Sequence, residues 1–436
     1  MNISKSLVIT ILLLFGKSSF AQNPIVKDIG MSDPHVRVFN GTIYLYCGHD
    51  SHPDDETWVM KEWRIFSTSD LINWKQEGSI STKDNYMDNN STDCWAGDAA
   101  TRNGKYYFYF SDRKRSVGVM VSESPKGPFK DALGKPLVSP MHDPTILVDN
   151  DKQETPYLIY GDKEGGGFHI ARLNEDMIST AEDPRPIEIN GKEWKEAPDW
   201  MDKNYIFKHQ DTYYLTWGRD YATSKNIYGP YVCMGAVGNG HNLSEYAHGS
   251  FFWWKGQFYH NWCYYLRPGF KYRESIITYC HFDDNGRIVT DTDFLDKHFE
   301  TGVGQYEASW SEIQAEWYYE KSPGITKGVN ADGGFVVSKI MNESWLRFSN
   351  INFGNKTDTF SARVIATNGS GQIEIRQDGL SGLLLGVVDV PKMKGQNNYR
   401  MVSGKLKEIK GIKDIYLVFK GNAKSEFDLD WFRFSE

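Results

Sequence analysis

Three carboxylates recur in one setting: Asp33 in SDPH, Asp143 in HDPT and Glu196 in KEAP, each with a proline one or two residues on. Each stands shortly ahead of a run that alternates apolar and polar residues: FNGTIYLYCGHD (39–50), QETPYLIYGD (153–162) and HQDTYYLTWGRD (209–220). A single acidic residue at the mouth of a strand is normally a turn residue, because its side chain bonds nearby backbone. Three matched ones exceed what turn chemistry explains. Two opposed carboxylates can hydrolyse a glycosidic bond: the protonated one donates to the leaving oxygen, and the ionised one activates water or attacks the anomeric carbon. A third, by its negative charge, raises the pKa of the donor and keeps it protonated near neutral pH.

Elements that could bring the three together are visible as a repeat. Besides the three runs above, RNGKYYFYFSD (102–112) and WKGQFYHNWCYY (254–265) follow the same hairpin pattern, and Asn-Gly steps supply the turns. Aligning Tyr44, Tyr107, Tyr157, Tyr214 and Tyr259 gives separations of 63, 50, 57 and 45 residues, the length of a four-stranded antiparallel sheet with its turns. Five such sheets predict an all-β, five-bladed β-propeller closing around a central channel. With the Tyr-bearing strand second in each blade, the residues before the hairpin turn form the innermost strand. The starts of those strands crowd one end of the channel, which is where the three carboxylates would converge.

Composition narrows the classes of function. Residues 1–21 carry a lysine, the apolar run Leu7 to Phe15 and a small-residue ending before Gln22, the pattern of a secretory signal. An exported protein, periplasmic or secreted, is expected, without membrane insertion because the apolar run is too short to span a bilayer. The net charge of −8 and the lack of a basic cluster argue against nucleic acid as a partner and against polyanionic substrates. The five cysteines are an odd count in a long chain and read as buried free thiols. An aromatic content of 14% offers flat faces suited to sugar rings, so a carbohydrate is the expected partner.

At these motifs the sequence resembles glycoside hydrolase family 43, five-bladed propellers that act with inversion, over roughly residues 28 to 310. The resemblance implies Asp33 as general base, Asp143 as the carboxylate that modulates a pKa and orients, and Glu196 as general acid. CWAGDA around Trp95, SVGVMVSESPKGPFKDALGKPLV, LNEDMIS and EYAHGSFFWWKGQFYH around His248 add to it. It is nearest to the β-xylosidase and α-L-arabinofuranosidase subgroup, which implies exo-acting release of terminal arabinofuranose or xylose from plant-type polysaccharide or its oligomers. The other readings are a β-galactosidase or related exo-glycosidase on the same scaffold, and a non-catalytic glycan-binding protein. Arg273, in Tyr272-Arg273-Glu274-Ser275 where relatives often have Arg-Arg-Ser, is the implied partner of the active-site carboxylates. Trp95 either stacks on a sugar or is a core tryptophan. His248 either contacts a metal ion, often calcium, in the channel or is satisfied by hydrogen bonds.

From about Ser311 the aromatic hairpins stop, and WLRFSNINFG, FSARVIA, GQIEIRQD, LLLGVVDV, IYLVFKG and DLDWFRF predict an antiparallel, jelly-roll-like β-sandwich. The domain division expected is 1–21 signal, 22–310 propeller and 311–436 sandwich. IQAEWYYE and FDLDWFRF at the ends of the sandwich resemble a family 6 carbohydrate-binding module. That resemblance implies a structural calcium held by Gln314, Glu316 and Asp430, an oxygen set that suits the ion; no organic cofactor is expected. The module's sugar platform is normally a tryptophan in a loop that reads KGQNNYR here, with Gln396 near the expected position, so the module either binds glycan or serves in docking.

Overall fold

The computed structural model describes residues 23–113, 115–162, 167–191, 202–237, 248–283, 285–290, 299, 302–304, 306–329, 335–354, 357–392 and 399–436. The signal-like segment, Glu196 and Gln396 lie outside the described residues. Regular structure in the described chain is all β, with two three-residue 3₁₀ turns.

Five antiparallel meanders come first. They begin with the strands Met31–Phe39, Cys94–Arg102, Met141–Val148, Asn204–His209 and His248–Trp254. Each continues in chain order through three further strands, and the fourth sheet gains a short parallel strand, Ile189–Asn190, at its far edge. Tyr44, Tyr107, Tyr157, Tyr214 and Tyr259 all fall on the second strand of their sheet, as the repeat predicts. The turns follow from residue type. Asn40-Gly41 and Asn103-Gly104 both have positive φ at two successive residues, the hairpin turn that Asn-Gly favours because its twist matches that of the strands.

The first strands are tied to one another by side chains. Asp98 of the second sheet accepts from Arg37 Nε of the first at 2.8 Å, and from Thr145 Oγ1 and Ile146 N of the third at 3.0 and 2.9 Å. Ile206 N donates to Thr145 Oγ1 at 3.3 Å, and Tyr205 Oη donates to the Phe251 carbonyl at 3.0 Å. Ser250 Oγ of the fifth sheet accepts from Val36 N of the first at 2.8 Å. Apart from Arg37, whose side chain is 18% exposed, these are groups at or near zero exposure, so each lost bond would leave a buried polar atom unsatisfied.

Two six-stranded sheets follow. One runs through Trp345–Asn352, Ile412–Gly421, Gly371–Gln377 and Leu383–Val390; the other through Phe335–Met341, Glu426–Ser435, Thr357–Asn368 and Arg400–Ile409. Their inward residues, among them Leu346, Phe348, Ile373, Leu417, Phe360 and Phe432, have no exposure and fill the space between the sheets. Tyr306–Glu307, ahead of residue 311, pairs in parallel with Trp345–Asn352. The sandwich shares a core with the first and fifth sheets: Tyr279 stacks on Trp317 at 5.7 Å, Trp254 Nε1 donates to Tyr319 Oη at 3.1 Å, and Gln257 Nε2 donates to the Glu316 carbonyl at 2.9 Å. All five cysteines are buried and none forms a disulfide, as the odd count suggests.

Candidate active site

Why an Asp-Pro step recurs at the mouth of these strands is answered by the backbone. In the first sheet the pairing register shifts between Ser32 and His35, and in the third it shifts opposite Asp143 and Pro144, between Ile159 and Gly161. Each is a β-bulge, an irregularity that re-aims a side chain out of the regular alternation. Asp33 and Asp143 occupy the same conformation there, with φ of 46° and 47°. Aspartate is one of the few residues that enters the left-handed region readily, and the proline after it has no N–H to leave unpaired where the ladder breaks. A third register shift, between Cys94 and Gly97, carries Trp95 at the matching place in the second sheet. Sequence logic and bulge geometry therefore coincide.

A cavity of about 380 Å³ opens at this end, lined by Asp33, Trp58, Trp95, Asp143, Asp202, His248 and Arg273 together with Arg113, Lys203, Tyr265 and Lys271. The far halves of the same first strands line another cavity, of about 450 Å³, whose described lining has no carboxylate. Acid–base chemistry belongs to the first of the two.

Asp33 is 3% exposed, and its Oδ1 lies 2.6 Å from Arg273 Nη1 and 2.8 Å from His248 Nδ1. Burial pushes its carboxyl up, but the Arg273 and His248 charges outweigh burial and hold it well below the usual carboxylate range. It is therefore ionised at any working pH. Arg273 is fixed from behind by Asp50, which accepts from its backbone N at 2.8 Å, from Nε at 3.0 Å and, through its other oxygen, from Nη2 at 2.9 Å. Burial raises the Asp50 pKa in spite of that cation. Asp143 Oδ2 accepts from Lys203 N at 2.9 Å, while the Asp143 N–H donates to Ser111 Oγ at 2.6 Å. Lys203 itself has a φ of 64°, a backbone conformation that aims its N–H at the carboxylate. Asp143, Asp202 and His142 place ligand-type atoms within 4.8 Å of one another.

Of the residues singled out in the sequence, Asp33, Asp143, Trp95, Arg273 and His248 meet in this cavity. Glu196 lies outside the described residues. Trp95 is partly buried, 5.6 Å from the Trp58 ring and with Arg113 over it at 5.3 Å, so it serves both as packing and as cavity wall. His248 uses Nδ1 on Asp33, and these two with the Cys263 thiol place ligand-type atoms within 4.8 Å of one another. A thiol is a soft donor and an imidazole a borderline one, neither the oxygen that calcium takes, and Arg273 already sits on Asp33, so this set fits direct calcium ligation poorly. In the sandwich, Gln314 stands opposite Trp431, beside Asp430, and Glu316 follows in a 3₁₀ turn. Glu316 and Asp430 are 5% and 4% exposed, and Arg363 pairs with Asp430. Two buried carboxylates and an amide oxygen are chemically suited to a calcium ion, with Arg363 a competing cation.

Sequence reasoning missed Asp50, Trp58, Asp202, Tyr265 and Lys271. Asp50 ends an apolar strand, YLYCGHD, and a carboxylate in such a run was a usable signal. Tyr265 ends the fifth aromatic hairpin run, where nothing sets it apart from its neighbours, and Trp58, Asp202 and Lys271 lie outside the strands with no local mark.

Residues 21–257 match the model of glycosyl hydrolases family 43, and residues 314–436 match that of carbohydrate binding module family 6. Arg273 lies beyond the first of these spans. An arabinoxylan arabinofuranohydrolase of Bacillus subtilis is 24% identical over 507 aligned positions, covering 99% of this chain and 98% of that protein. A xylosidase/arabinosidase of Bacteroides ovatus is 27% identical, covering 60% of this chain and 94% of the relative. Among solved structures, a family 43 β-xylosidase/α-arabinofuranosidase from a compost microbial metagenome, with xylotriose and in a calcium-free form, is 26% identical. It covers 62% of this chain and 97% of its own, with a TM-score of 0.54. The chain thus belongs to glycosyl hydrolase family 43, a glycosidase followed by a family 6 carbohydrate-binding module.

Proposed function

We propose that the protein is an exo-acting, inverting glycosidase that releases terminal arabinofuranose or xylose from plant-type polysaccharides or oligosaccharides. The observation that carries this is Asp33, buried yet held ionised by Arg273 and His248 at the wall of a cavity it shares with Asp143. The names of the relatives point to the same sugars. Asp33 takes a proton from a water that attacks the anomeric carbon, and Glu196 donates one to the departing oxygen on the opposite face. Asp143 keeps Glu196 protonated by its charge. Arg273 and Trp95 bind the sugar. The five sheets are taken to close as a five-bladed propeller spanning 22–310, in keeping with the bonds between first strands, with the sandwich over 311–436. Residues 1–21 would direct export. Gln314, Glu316 and Asp430 would hold a structural calcium that ties the ends of the sandwich together.

The test is a panel of nitrophenyl glycosides, with NMR of the first-formed sugar. Arabinofuranoside or xyloside cleavage with inverted product is expected. A galactoside preference would favour the alternative exo-glycosidase. Product of retained configuration, or an Asp33 to Glu196 separation near 5 Å in place of about 6.5–9.5 Å, would sink the inverting mechanism. Sugar binding without any release would make the chain a glycan-binding protein.

A further inference from the structure

The cavity wall away from the carboxylates is aromatic. Trp95 and Trp58 lie 5.6 Å apart, and Trp58 Nε1 donates to Tyr265 Oη at 3.2 Å, so the three rings form one continuous face. A cation sits at each end of it. Arg113, over Trp95, is answered by Asp93 at 3.6 Å. Lys271 differs. Its Nζ lies over the Trp58 ring at 4.5 Å and over Tyr265 at 5.2 Å, and no described carboxylate pairs with it. The neighbouring acidic loop does not neutralise it either: Asp55 gives Lys271 only a backbone carbonyl, at 2.7 Å to its N–H, and Asp54 is occupied by Arg267 at 2.5 Å. Arg273 also lies by the Tyr265 ring, its guanidinium 5.7 Å from the centroid, but it is shared by Asp33 and Asp50.

An ammonium held over two rings, half-buried and facing a sugar-sized cavity, has lost part of its hydration and gains from an anion brought to it. Lysine and tryptophan side by side also fit an acidic sugar: the ring stacks and the charge meets the carboxylate. We propose that Lys271 recognises a uronic-acid carboxylate carried by the carbohydrate beside the sugar being released. Given the hydrolase activity proposed above, the substrate class is then an acidic, uronate-bearing plant-type glycan. This refines the expectation from the net charge of −8, which weighs against polyanions in bulk but not against one carboxylate at one cation.

Two matched oligosaccharides test it, both carrying the releasable sugar and one carrying a uronic acid on the adjoining residue. For the unaltered protein, kcat/KM at low salt should favour the acidic substrate about threefold to fivefold, the size of a partly exposed ion pair. The preference should fade in about 1 M salt, where the screening length falls to about 3 Å. Lys271→Gln should bring the ratio to near one, and Lys271→Arg should keep it. A ratio at or below one in the unaltered protein, a ratio indifferent to salt, or an equal ratio in Lys271→Gln overturns the proposal. If Lys271→Gln fails to fold, the salt series on the unaltered protein decides alone. If neither substrate is cleaved, the hydrolase reading fails, and calorimetric binding of the same two sugars still decides the role of Lys271.

Discussion

Replacing Asp98 with asparagine should destabilise the protein by about 3–5 kcal/mol, the loss that follows removal of one partner from a buried ion pair. Asp98 has no exposure, and Arg37, 18% exposed in its side chain, grips both its oxygens. Asparagine keeps one acceptor for Thr145 and Ile146 but turns an NH₂ group toward the guanidinium, so a donor faces a donor. Burial pushes the Asp98 carboxyl up; Arg37 and His35 outweigh it and hold it well below the usual range. A depressed carboxylate contributes fully above its unfolded value, about 3.9, and progressively less as pH falls toward the folded value. The loss on substitution should therefore be constant from about pH 8 to pH 5 and shrink below about pH 4. Guanidinium unfolding at several pH values reads both features. A loss under about 1 kcal/mol at neutral pH would refute the view that this carboxylate joins three sheets. A loss that does not change with acid would refute the assignment of its charge.

Three further outcomes follow from the proposed roles. Glu196→Gln should lose about 10²–10⁴ in rate on substrates with poor alkoxide leaving groups yet retain far more on an activated aryl glycoside, while Asp33→Asn loses on both; equal losses for the two variants across leaving groups would mean the roles are misassigned. Asp143→Asn removes a charge that supports a protonated acid, so the basic limb of the pH profile of kcat/KM should move to lower pH, and an unmoved limb would leave Asp143 as an orienting group alone. Calcium at a hundredfold excess over its Kd should add about 2.7 kcal/mol to the sandwich, read as a rise in Tm that a chelator reverses. A Tm indifferent to both would mean that Asp430 serves its ion pair with Arg363 and no calcium.

Much of the fold was legible because its signals are local. Asn-Gly turns and alternating aromatic strands mark each sheet wherever they occur, and the Asp-Pro step marks a bulge for the same reason. What escaped is non-local. Asp50 and Arg273 are 223 residues apart in sequence, and Arg37 and Asp98 are 61 apart. Asp50 and Arg273 each carry a local mark, but nothing around either residue says that the two meet, and the same holds for Arg37 and Asp98. Lys271 and Trp58 meet across a distance of the same kind, so the aromatic wall could not be read from either segment alone. Tyr306–Glu307 escaped too, since two residues carry no periodicity.

The bulges also decide which substitutions test the chemistry cleanly. At φ near 46–47°, Asp33 and Asp143 stand where an L-residue with an ordinary Cβ is strained by roughly 1–2 kcal/mol, and where Asp and Asn are tolerated. An alanine there would remove a carboxylate and strain the bulge together, and a loss of activity could come from either. Asparagine keeps the backbone preference and the shape while removing the charge. For Asp33 it also turns the fork of Arg273 toward an amide, which the guanidinium can still reach through the remaining oxygen. Asp→Asn at both positions therefore isolates the proton chemistry. Comparing each with its Asp→Ala counterpart measures the backbone: an Ala variant less stable than the Asn variant by about 1–2 kcal/mol at both positions is the expected result. Equal stability would mean that the bulges hold their shape without help from the residue type, and that Asp stands there for its chemistry alone.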